Sequence, residues 1–216
     1  MNLTLSSVNG IPASTPTFLK LYDIDGDSAV IVPDDVIGKW NVGADIVITS
    51  NTQNWWADQL RTITNVSPAS KPGYTRVGLD SPIDRPSTLR DDVGFAVEVA
   101  LLSRNVVFDS EDEGGHLWIL ETPAVEQHIE GVEIVNFGQQ GTLGRYPVHF
   151  HMCGNVSGSK VLRNTVRASN QRCFVVHGTD NLLVEGNVAY DTKGHCYMTE
   201  DVSCVLCTHQ SSVSDS

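Results

Sequence analysis

The sequence predicts an all-β fold in which a compact N-terminal β region leads into a parallel β-solenoid. Apolar residues make up 40% and charged residues 19% of the 216-residue chain, an ordinary balance for a folded protein. No long segment has helical periodicity, whereas short β-branched runs are repeatedly ended by Gly, Asn, Asp or Pro. From about residue 93, whole coils repeat rather than single strands, which favours a solenoid over a β-sandwich.

Residues 1–92 carry the strand-type runs of the predicted N-terminal region. The clearest are 29–32, which precedes Pro33, and the runs 45–49 and 61–66. Residues 67–90 are rich in Pro, Ser and Asp, so we expect a loop or a hairpin excursion there. This region is predicted to lead into the solenoid at residue 93.

Residues 93–201 contain two repeating features of a solenoid. Asn136, Asn164 and Asn187 recur at intervals of 28 and 23 residues, and the strands 148–151, 174–177 and 197–200 recur at 26 and 23. Parallel rungs lie about 4.8 Å apart, so a turn Asn can bond to its counterpart in the next coil. We therefore expect an asparagine ladder and a sheet made of the three repeated strands.

The strand 148–151 predicts one core face and one polar face. Residues two apart in a strand point to the same side, so His149 and His151 share a face. Val148 and Phe150 point to the other side, which we expect to be the core. The prediction depends on register, because a slip of one residue would exchange the two faces.

Aligning the repeats places titratable residues on successive rungs of that polar face. His151, His177 and Glu200 form one column, and His149 falls beside Val175 and Met198. Imidazoles and a carboxylate in such a column can act as acid and base, bind a divalent metal, or hydrogen-bond a sugar. Further residues with suitable chemistry lie close by in sequence: Arg145, His195 and Asp201.

The charge distribution leaves the nature of the face open. The formal net charge is −12, which argues against nucleic acid as a partner. Between Ile134 and Thr179 there is no acidic residue, and this stretch carries five cations: Arg145, Lys160, Arg163, Arg167 and Arg172. A basic zone can attract an anionic ligand despite the total charge, although the same residues can equally be scattered over a solvated surface.

The tryptophans and cysteines give weaker predictions. Four tryptophans could stack on sugar rings: Trp40, Trp55, Trp56 and Trp118. Most tryptophans are packing residues, and only in the adjacent pair 55–56 is one ring expected to point outward. The alignment sets Cys173 opposite Cys196 on neighbouring rungs, where a core role is expected. The spacing of Cys204 and Cys207 is that of a metal or redox pair, but no second pair accompanies it.

No stretch of this chain is predicted to cross a membrane. The apolar run 95–102 is interrupted by Glu98 and is too short, and no signal peptide is visible at the N-terminus. If the protein is exported, we expect the targeting segment to lie outside this chain. Residues 202–216 change abruptly in composition and are predicted to be a divergent, disordered tail.

Several motifs together resemble one family. They are GRYPVHFH at 144–151, RC at 172–173, VHGT at 176–179 and GHCYMTED at 194–201, with further matches that extend the resemblance over residues 12–201. The chain resembles the family of cell migration-inducing and hyaluronan-binding proteins and cell-surface hyaluronidases, with fibrocystin-L more distant. Its sequence departs from the family pattern after Asp201, so we expect a fragment of a larger protein.

The resemblance implies a right-handed parallel β-helix associated with a G8 domain, an extracellular or cell-surface setting, and hyaluronan or a related anionic polysaccharide as ligand. It implies either depolymerisation by hydrolase or lyase chemistry, or a non-catalytic, receptor-like glycan-binding module as in fibrocystin-like proteins. A divalent metal held by His151 and His177 is a further hypothesis. The expected catalytic residues are His149, His151, His177, Glu200 and Asp201, and the expected substrate-binding residues are Arg145, Arg172 and His195.

Overall fold

The computed structural model describes residues 7–9, 11–50, 57–84, 97–111 and 114–201. Within these residues the fold is all-β, as predicted, with strands in four sheets and no α-helix. The chain divides into two compact units. One is Ser14–Ser103, and the other combines Met1–Ala13 with Arg104–Ser216. The division expected at residues 92/93 and 201/202 stays a prediction.

The unit Ser14–Ser103 contains a seven-stranded antiparallel sheet. Its strands follow the order β2-β8-β5-β6-β7-β4-β3. The three predicted strand runs correspond to β4, β5 and β6, and the pairing of β6 with β7 confirms a hairpin within the described part of 67–90. The bounds are β2 (Phe18–Lys20), β3 (Asp23–Ile24), β4 (Ala29–Pro33), β5 (Asp45–Ile48), β6 (Gln59–Pro68), β7 (Tyr74–Leu79) and β8 (Glu98–Leu101).

This unit has its own apolar core, which is built from the inward side chains of the sheet. Trp40 is almost fully buried in it, and its indole N–H donates a hydrogen bond to the carbonyl of Pro16 at 2.9 Å. The bond satisfies the one polar atom of a large apolar side chain. Trp40 is therefore a packing residue, as expected for most of the tryptophans.

The second unit consists of three parallel sheets of four strands each. Sheet 1 has the order β9-β12-β15-β18, sheet 2 has β10-β13-β16-β19, and sheet 3 has β1-β11-β14-β17. The bounds are β1 (Ser7–Asn9), β9 (Val107–Asp109), β10 (Leu117–Ile119), β11 (His128–Glu130), β12 (Glu133–Val135), β13 (Val148–Asn155), β14 (Lys160–Leu162), β15 (Thr165–Ser169), β16 (Phe174–Asp180), β17 (Leu183–Glu185), β18 (Val188–Thr192) and β19 (Tyr197–Glu200).

From β9 onward the chain visits sheets 1, 2 and 3 in turn. Each strand from β12 to β19 pairs in parallel with the strand three places earlier. Parallel strands require long crossover connections, and here the two strands in the other sheets supply them. The repeats seen in the sequence therefore correspond to three strands per coil.

Sheet 2 has the predicted register. His151 lies opposite His177, and His177 lies opposite Glu200. In the neighbouring column, His149 lies opposite Val175. The earlier strand β10 adds Trp118, which lies opposite His149.

The other face of sheet 2 belongs to the core, as predicted from the alternation in strand β13. Val148 and Phe150 are almost fully buried and pack in one cluster with residues from all three sheets. Cys173 and Cys196 are also buried there, as expected, and are joined as a disulfide between neighbouring rungs. Cys153 is a buried free thiol, and burial raises its pKa.

The asparagine ladder forms for two of the three predicted members. Asn164 donates to the side-chain oxygen of Asn187 at 2.9 Å, and both side chains are fully buried. The inclusion of Asn136 was wrong. The register places Val132, not Asn136, beside Asn164, and the N–H of Val132 donates to the side-chain oxygen of Asn164. Asn136 lies in a turn with a φ of 58°, and its side chain donates to Asp109. Asparagine is also common at positive φ, so Asn136 is a turn residue although its spacing in the sequence resembles that of a ladder residue.

A β-bulge follows directly after the His151–His177 pair. The register between β13 and β16 shifts between His151 and Gly154, and Met152 has a φ of 52°. Gly178 lies opposite the bulge with a φ of 52°. Bulges re-aim neighbouring side chains and occur frequently beside functional sites.

Some predictions fall on residues that the structure does not describe. Trp55, Trp56, Cys204, Cys207 and the tail 202–216 all lie outside the described residues.

Candidate functional site

The outer side of sheet 2 brings aromatic, imidazole and charged groups together. We call the set Trp118, His149, His151, His177 and Glu200 the histidine face. Each member comes from β10, β13, β16 or β19, so the face crosses four successive rungs. Strands of a rigid sheet position these groups more accurately than loops would.

His149 is the most enclosed member of the face, with only 2% of its surface exposed. Its Nδ1 donates to the carbonyl of Gly144 at 3.0 Å, and its Nε2 is buried without a hydrogen-bond partner. Burial lowers the pKa of His149, and the neighbouring His151 and His177 lower it further, against the raising effects of the Gly144 bond and Glu200. The ring is therefore held neutral, with the lone pair of Nε2 available.

His151 and His177 meet across the strand pair. Their Nδ1 atoms are 3.1 Å apart, and the Nε2 of His177 lies 3.3 Å from a carboxylate oxygen of the exposed Asp201. Asp201 directly follows β19 and has a φ of 49°. The three residues form a continuous carboxylate–imidazole–imidazole chain.

Trp118 supplies a half-exposed aromatic surface beside the histidines. The residue is 44% exposed, and its ring stacks with His149 at 6.0 Å between centroids and meets His151 edge-on at 5.3 Å. The guanidinium of Arg145 lies 5.3 Å from the centre of the same ring and also contacts His116. Partial burial, and then the charge of Arg145, lower the pKa of His116, so this histidine adds no second charge at neutral pH.

Arg172 and Glu200 form an ion pair at the other end of the face. A guanidinium nitrogen of Arg172 lies 2.5 Å from a carboxylate oxygen of Glu200 and 3.4 Å from the hydroxyl of Tyr146. Tyr146 is buried and packs edge-on against His149. Arg172 thereby links Glu200 to the aromatic floor beneath His149.

The basic zone of the sequence is divided among different sheets. Arg163 pairs with Glu130 and Arg167 pairs with Glu133, because coiling brings acidic residues of the preceding coil beside them. Within the residues that the structure describes, Arg145 contacts no carboxylate, unlike Arg163, Arg167 and Arg172. Arg145 is thus the arginine best able to receive an anionic group.

The structure gathers most of the predicted site residues but leaves one aside. His149, His151, His177, Glu200, Asp201, Arg145 and Arg172 are linked to one another directly or through aromatic rings. His195 is exposed in the turn before β19, and no hydrogen bond, ion pair or ring contact joins it to the face among the described residues.

Sequence reasoning missed the site roles of His116 and Tyr146, and it named Trp118 as a possible sugar-stacking ring without placing it on this face. The repeat of the strand 148–151 in residues 117–119 was the available signal for Trp118, because the register aligns Leu117 with Val148. No comparable signal marked His116 or Tyr146, since both reach the face from irregular segments.

A separate cavity of about 430 Å³ lies elsewhere in the same unit. It is lined by residues 121–126, Cys153, residues 155–157 and Ser159. It contains none of the predicted site residues, and its charged groups, Glu121 and Glu126, would repel an anionic ligand. The cavity therefore differs from the histidine face in both position and charge.

The face has the groups for three kinds of chemistry. The Trp118 ring beside the Arg145 cation can hold a sugar that carries a carboxylate. The chain of Asp201 and two imidazoles can move a proton. The three histidines can bind a metal ion, because one nitrogen from each lies within 4.8 Å of the others. In the described residues, no helix has the length and apolar character needed to span a bilayer.

The three parallel sheets and the imidazole column on the outer side of sheet 2 define an all-β protein with a polar face. Comparison with known proteins gives the family. The family model described as the CEMIP beta-helix matches residues 112–204, a range that includes every member of the histidine face.

Relatives extend the match over most of the chain. A G8 domain-containing protein of Dictyostelium discoideum is 33% identical over 199 residues, covering 87% of this chain and 16% of the relative. Cell surface hyaluronidases of Danio rerio and Homo sapiens are each 31% identical, covering 83% and 77% of this chain and 15% and 14% of those proteins. Residues 112–204 therefore carry the β-helix domain of this family, as the motifs predicted, and the chain spans 14–16% of the length of these relatives.

Proposed function

We propose that this chain binds an anionic, uronate-containing polysaccharide of the hyaluronan class on its histidine face. The observation that carries the proposal is the half-exposed Trp118 ring with the Arg145 guanidinium beside it. A sugar ring can stack on the indole while its neighbour's carboxylate pairs with the guanidinium. The names of two relatives, both cell surface hyaluronidases, support this polymer class.

The proposed fold suits a long polymer. The cyclic order of three parallel sheets supports a right-handed β-helix, because crossovers between parallel strands are almost always right-handed. Rungs about 4.8 Å apart then repeat the outward groups along the axis, so that several sugar units contact equivalent positions. The relatives also support a secreted or cell-surface location.

Depolymerisation is the second candidate function. It is favoured by the chain from Asp201 through His177 to His151, in which the carboxylate orients one imidazole against the other. His151 would then act as the general base or acid, with His149 neutral beside it. Glu200 is engaged with Arg172, an arrangement that suits substrate positioning more than the two free carboxylates of glycoside hydrolysis. A lyase step would use the same histidines with Arg145 on the uronate carboxylate.

The binding proposal is tested with matched arginine variants. The purified chain and its Arg145→Gln and Arg163→Gln variants are titrated onto immobilised hyaluronan at low and physiological salt. We expect Arg145→Gln to lose roughly ten-fold in affinity at low salt and to flatten the salt dependence, as removal of a charge-assisted contact predicts. Arg163→Gln removes the same charge from an ion pair with Glu130 and should bind like the parent.

Equal affinity of the parent and both variants would contradict the proposal, as would an equal loss in both variants. Size analysis of high-molecular-weight hyaluronan after incubation separates the two candidate functions. Shortened polymer that disappears in a His151→Ala variant supports depolymerisation, and intact polymer with retained binding supports a non-catalytic, receptor-like module.

A further inference from the structure

The three histidines of the face have the arrangement of a metal site. One nitrogen from each of His149, His151 and His177 lies within 4.8 Å of the other two. His151 and His177 are partly buried, and His149 is fully buried, so the cluster has an enclosed floor and an open side. An incoming ion could reach it from solvent.

The donor atoms can be assigned from the hydrogen bonds. Because Nδ1 of His149 donates to the Gly144 carbonyl, its Nε2 carries the free lone pair. That Nε2 is buried without a partner, which is costly unless something else satisfies it. An ion among the three rings would supply the missing partner.

The other two donors face each other. Nδ1 of His151 and Nδ1 of His177 are 3.1 Å apart. Two nitrogens bound tetrahedrally to zinc at about 2.0–2.1 Å are separated by about 3.4 Å. The observed spacing therefore needs only a small adjustment to admit an ion.

Two of the three rings also have the outer partners typical of metal-binding histidines. Such rings usually donate their second nitrogen to a carbonyl or a carboxylate, which fixes their orientation. His149 has the Gly144 carbonyl at 3.0 Å, and His177 has the Asp201 carboxylate at 3.3 Å. A purely structural histidine cluster does not require this pattern.

We propose that His149, His151 and His177 bind one late first-row divalent metal ion, of which Zn²⁺ is the suitable probe. Imidazole nitrogens select Zn²⁺, Cu²⁺ or Ni²⁺, whereas Ca²⁺ and Mg²⁺ require oxygen ligands. Three protein ligands leave a fourth position open toward the solvent side of the face. The site does not depend on polysaccharide binding, although a bound polymer would lie next to it.

The test uses the untagged chain, stripped of metal by a chelator and titrated calorimetrically with Zn²⁺, with metal content measured after dialysis. We expect one ion per chain and a rise in thermal stability that Ca²⁺ does not reproduce. The His151→Ala and His177→Ala variants should lose the ion. Asp201→Asn should keep the stoichiometry and weaken affinity about 10- to 100-fold, since it removes only an outer partner.

Two controls separate this site from other ligands of the chain. His195→Ala removes an exposed histidine outside the cluster and should leave binding unchanged. Cys204→Ser combined with Cys207→Ser removes the CxxC pair and should also retain the ion. Co²⁺ substitution provides a second readout, because nitrogen ligation lacks the thiolate charge-transfer bands that a cysteine site produces.

Three results would overturn the proposal. They are a parent chain without bound Zn²⁺, Zn²⁺ that is lost with the two cysteines, or Zn²⁺ that persists in both histidine variants. A variant that fails to fold is recognised by circular dichroism, and the Co²⁺ spectrum of the parent then decides the ligand type. Hyaluronan is absent throughout, so the outcome is distinguishable from failure of the polysaccharide proposal.

Discussion

Trp118 lies one rung before His149 in the same column, and their rings stack with centroids 6.0 Å apart and planes within 11°. His149 is thereby covered by the indole, while Trp118 itself stays 44% exposed. The same residue thus encloses an imidazole and presents an apolar surface. This dual role explains why a polar strand residue that points away from the core is nevertheless buried.

Trp118→Ala is expected to weaken hyaluronan binding by roughly five-fold, because an aromatic stacking contact contributes about 1 kcal/mol. Binding to immobilised polymer measures the effect. Trp118→Phe keeps a ring at the position and should retain most of the affinity. If alanine and phenylalanine bind equally well, the exposed ring does not contact the polymer.

The burial of His149 leads us to predict a loss of stability at mildly acidic pH. Its pKa is lowered in the folded protein by burial first and by His151 and His177 next, against Gly144 and Glu200, while its ordinary value is 6.5. Below about pH 6.5 the unfolded chain binds a proton that folded His149 resists, so the free energy of unfolding falls as pH falls. Above that pH, this contribution is fully present.

Urea unfolding at pH 7.5 and pH 5.5 measures the effect. A His149→Gln variant should have a shallower pH dependence, by up to about 1.4 kcal/mol per pH unit. His195→Gln removes an exposed histidine and serves as the control. Identical slopes for the parent and His149→Gln would show that His149 does not resist protonation in the fold.

Substitution of Asn164 measures how strongly the buried asparagine ladder stabilises the coils. Its amide donates to the carbonyl of Ile129 and the side chain of Asn187, and its oxygen accepts from the N–H of Val132. Asn164→Leu leaves buried backbone groups unpaired, so we expect a loss of about 2–4 kcal/mol in the free energy of unfolding. Chemical denaturation measures it.

The matched control is Asn136→Leu, which removes a single bond to the exposed Asp109 side chain. It should cost less than about 0.5 kcal/mol, as surface substitutions generally do. A similar loss at both positions would show that the ladder has no special role in holding the rungs together.

The sequence was most informative where a side-chain pattern repeats once per coil. The register of His151, His177 and Glu200 followed from aligned strands, because stacking in parallel rungs requires the same alternation in each coil. The Asn136 assignment failed because asparagine serves both as a ladder residue and as a left-handed turn residue. Composition and order alone do not separate these two uses.

The remaining contacts join residues that are far apart in sequence and that meet only because the chain coils. The pairing of Arg163 with Glu130 and of Arg167 with Glu133 crosses more than 30 residues, and it converts an apparently basic stretch into neutral pairs. Likewise, His116 reaches Arg145 from an irregular segment whose path no periodic pattern specifies. Such contacts become predictable only after the coil lengths are known.

We expect the backbone beside the His151–His177 pair to be sensitive to a single methyl group added at Gly178. It has a φ of 52°, and a Cβ at this position would lie 2.5 Å from the sulfur of Met152 across the bulge. Gly154 has a similar φ of 62° with no atom within 4 Å of the corresponding Cβ. Both alanine variants therefore incur the cost of a left-handed conformation, about 1–2 kcal/mol, and only Gly178→Ala adds a steric contact.

We expect Gly178→Ala to lower the free energy of unfolding by about 1 kcal/mol more than Gly154→Ala, because the overlap falls on the end of a flexible side chain. Met152→Ala in the Gly178→Ala background should restore that difference by removing the sulfur. Equal losses for the two glycine variants would assign the whole effect to φ. A larger loss that Met152→Ala does not relieve would instead place the strain in the bulge itself, next to His177.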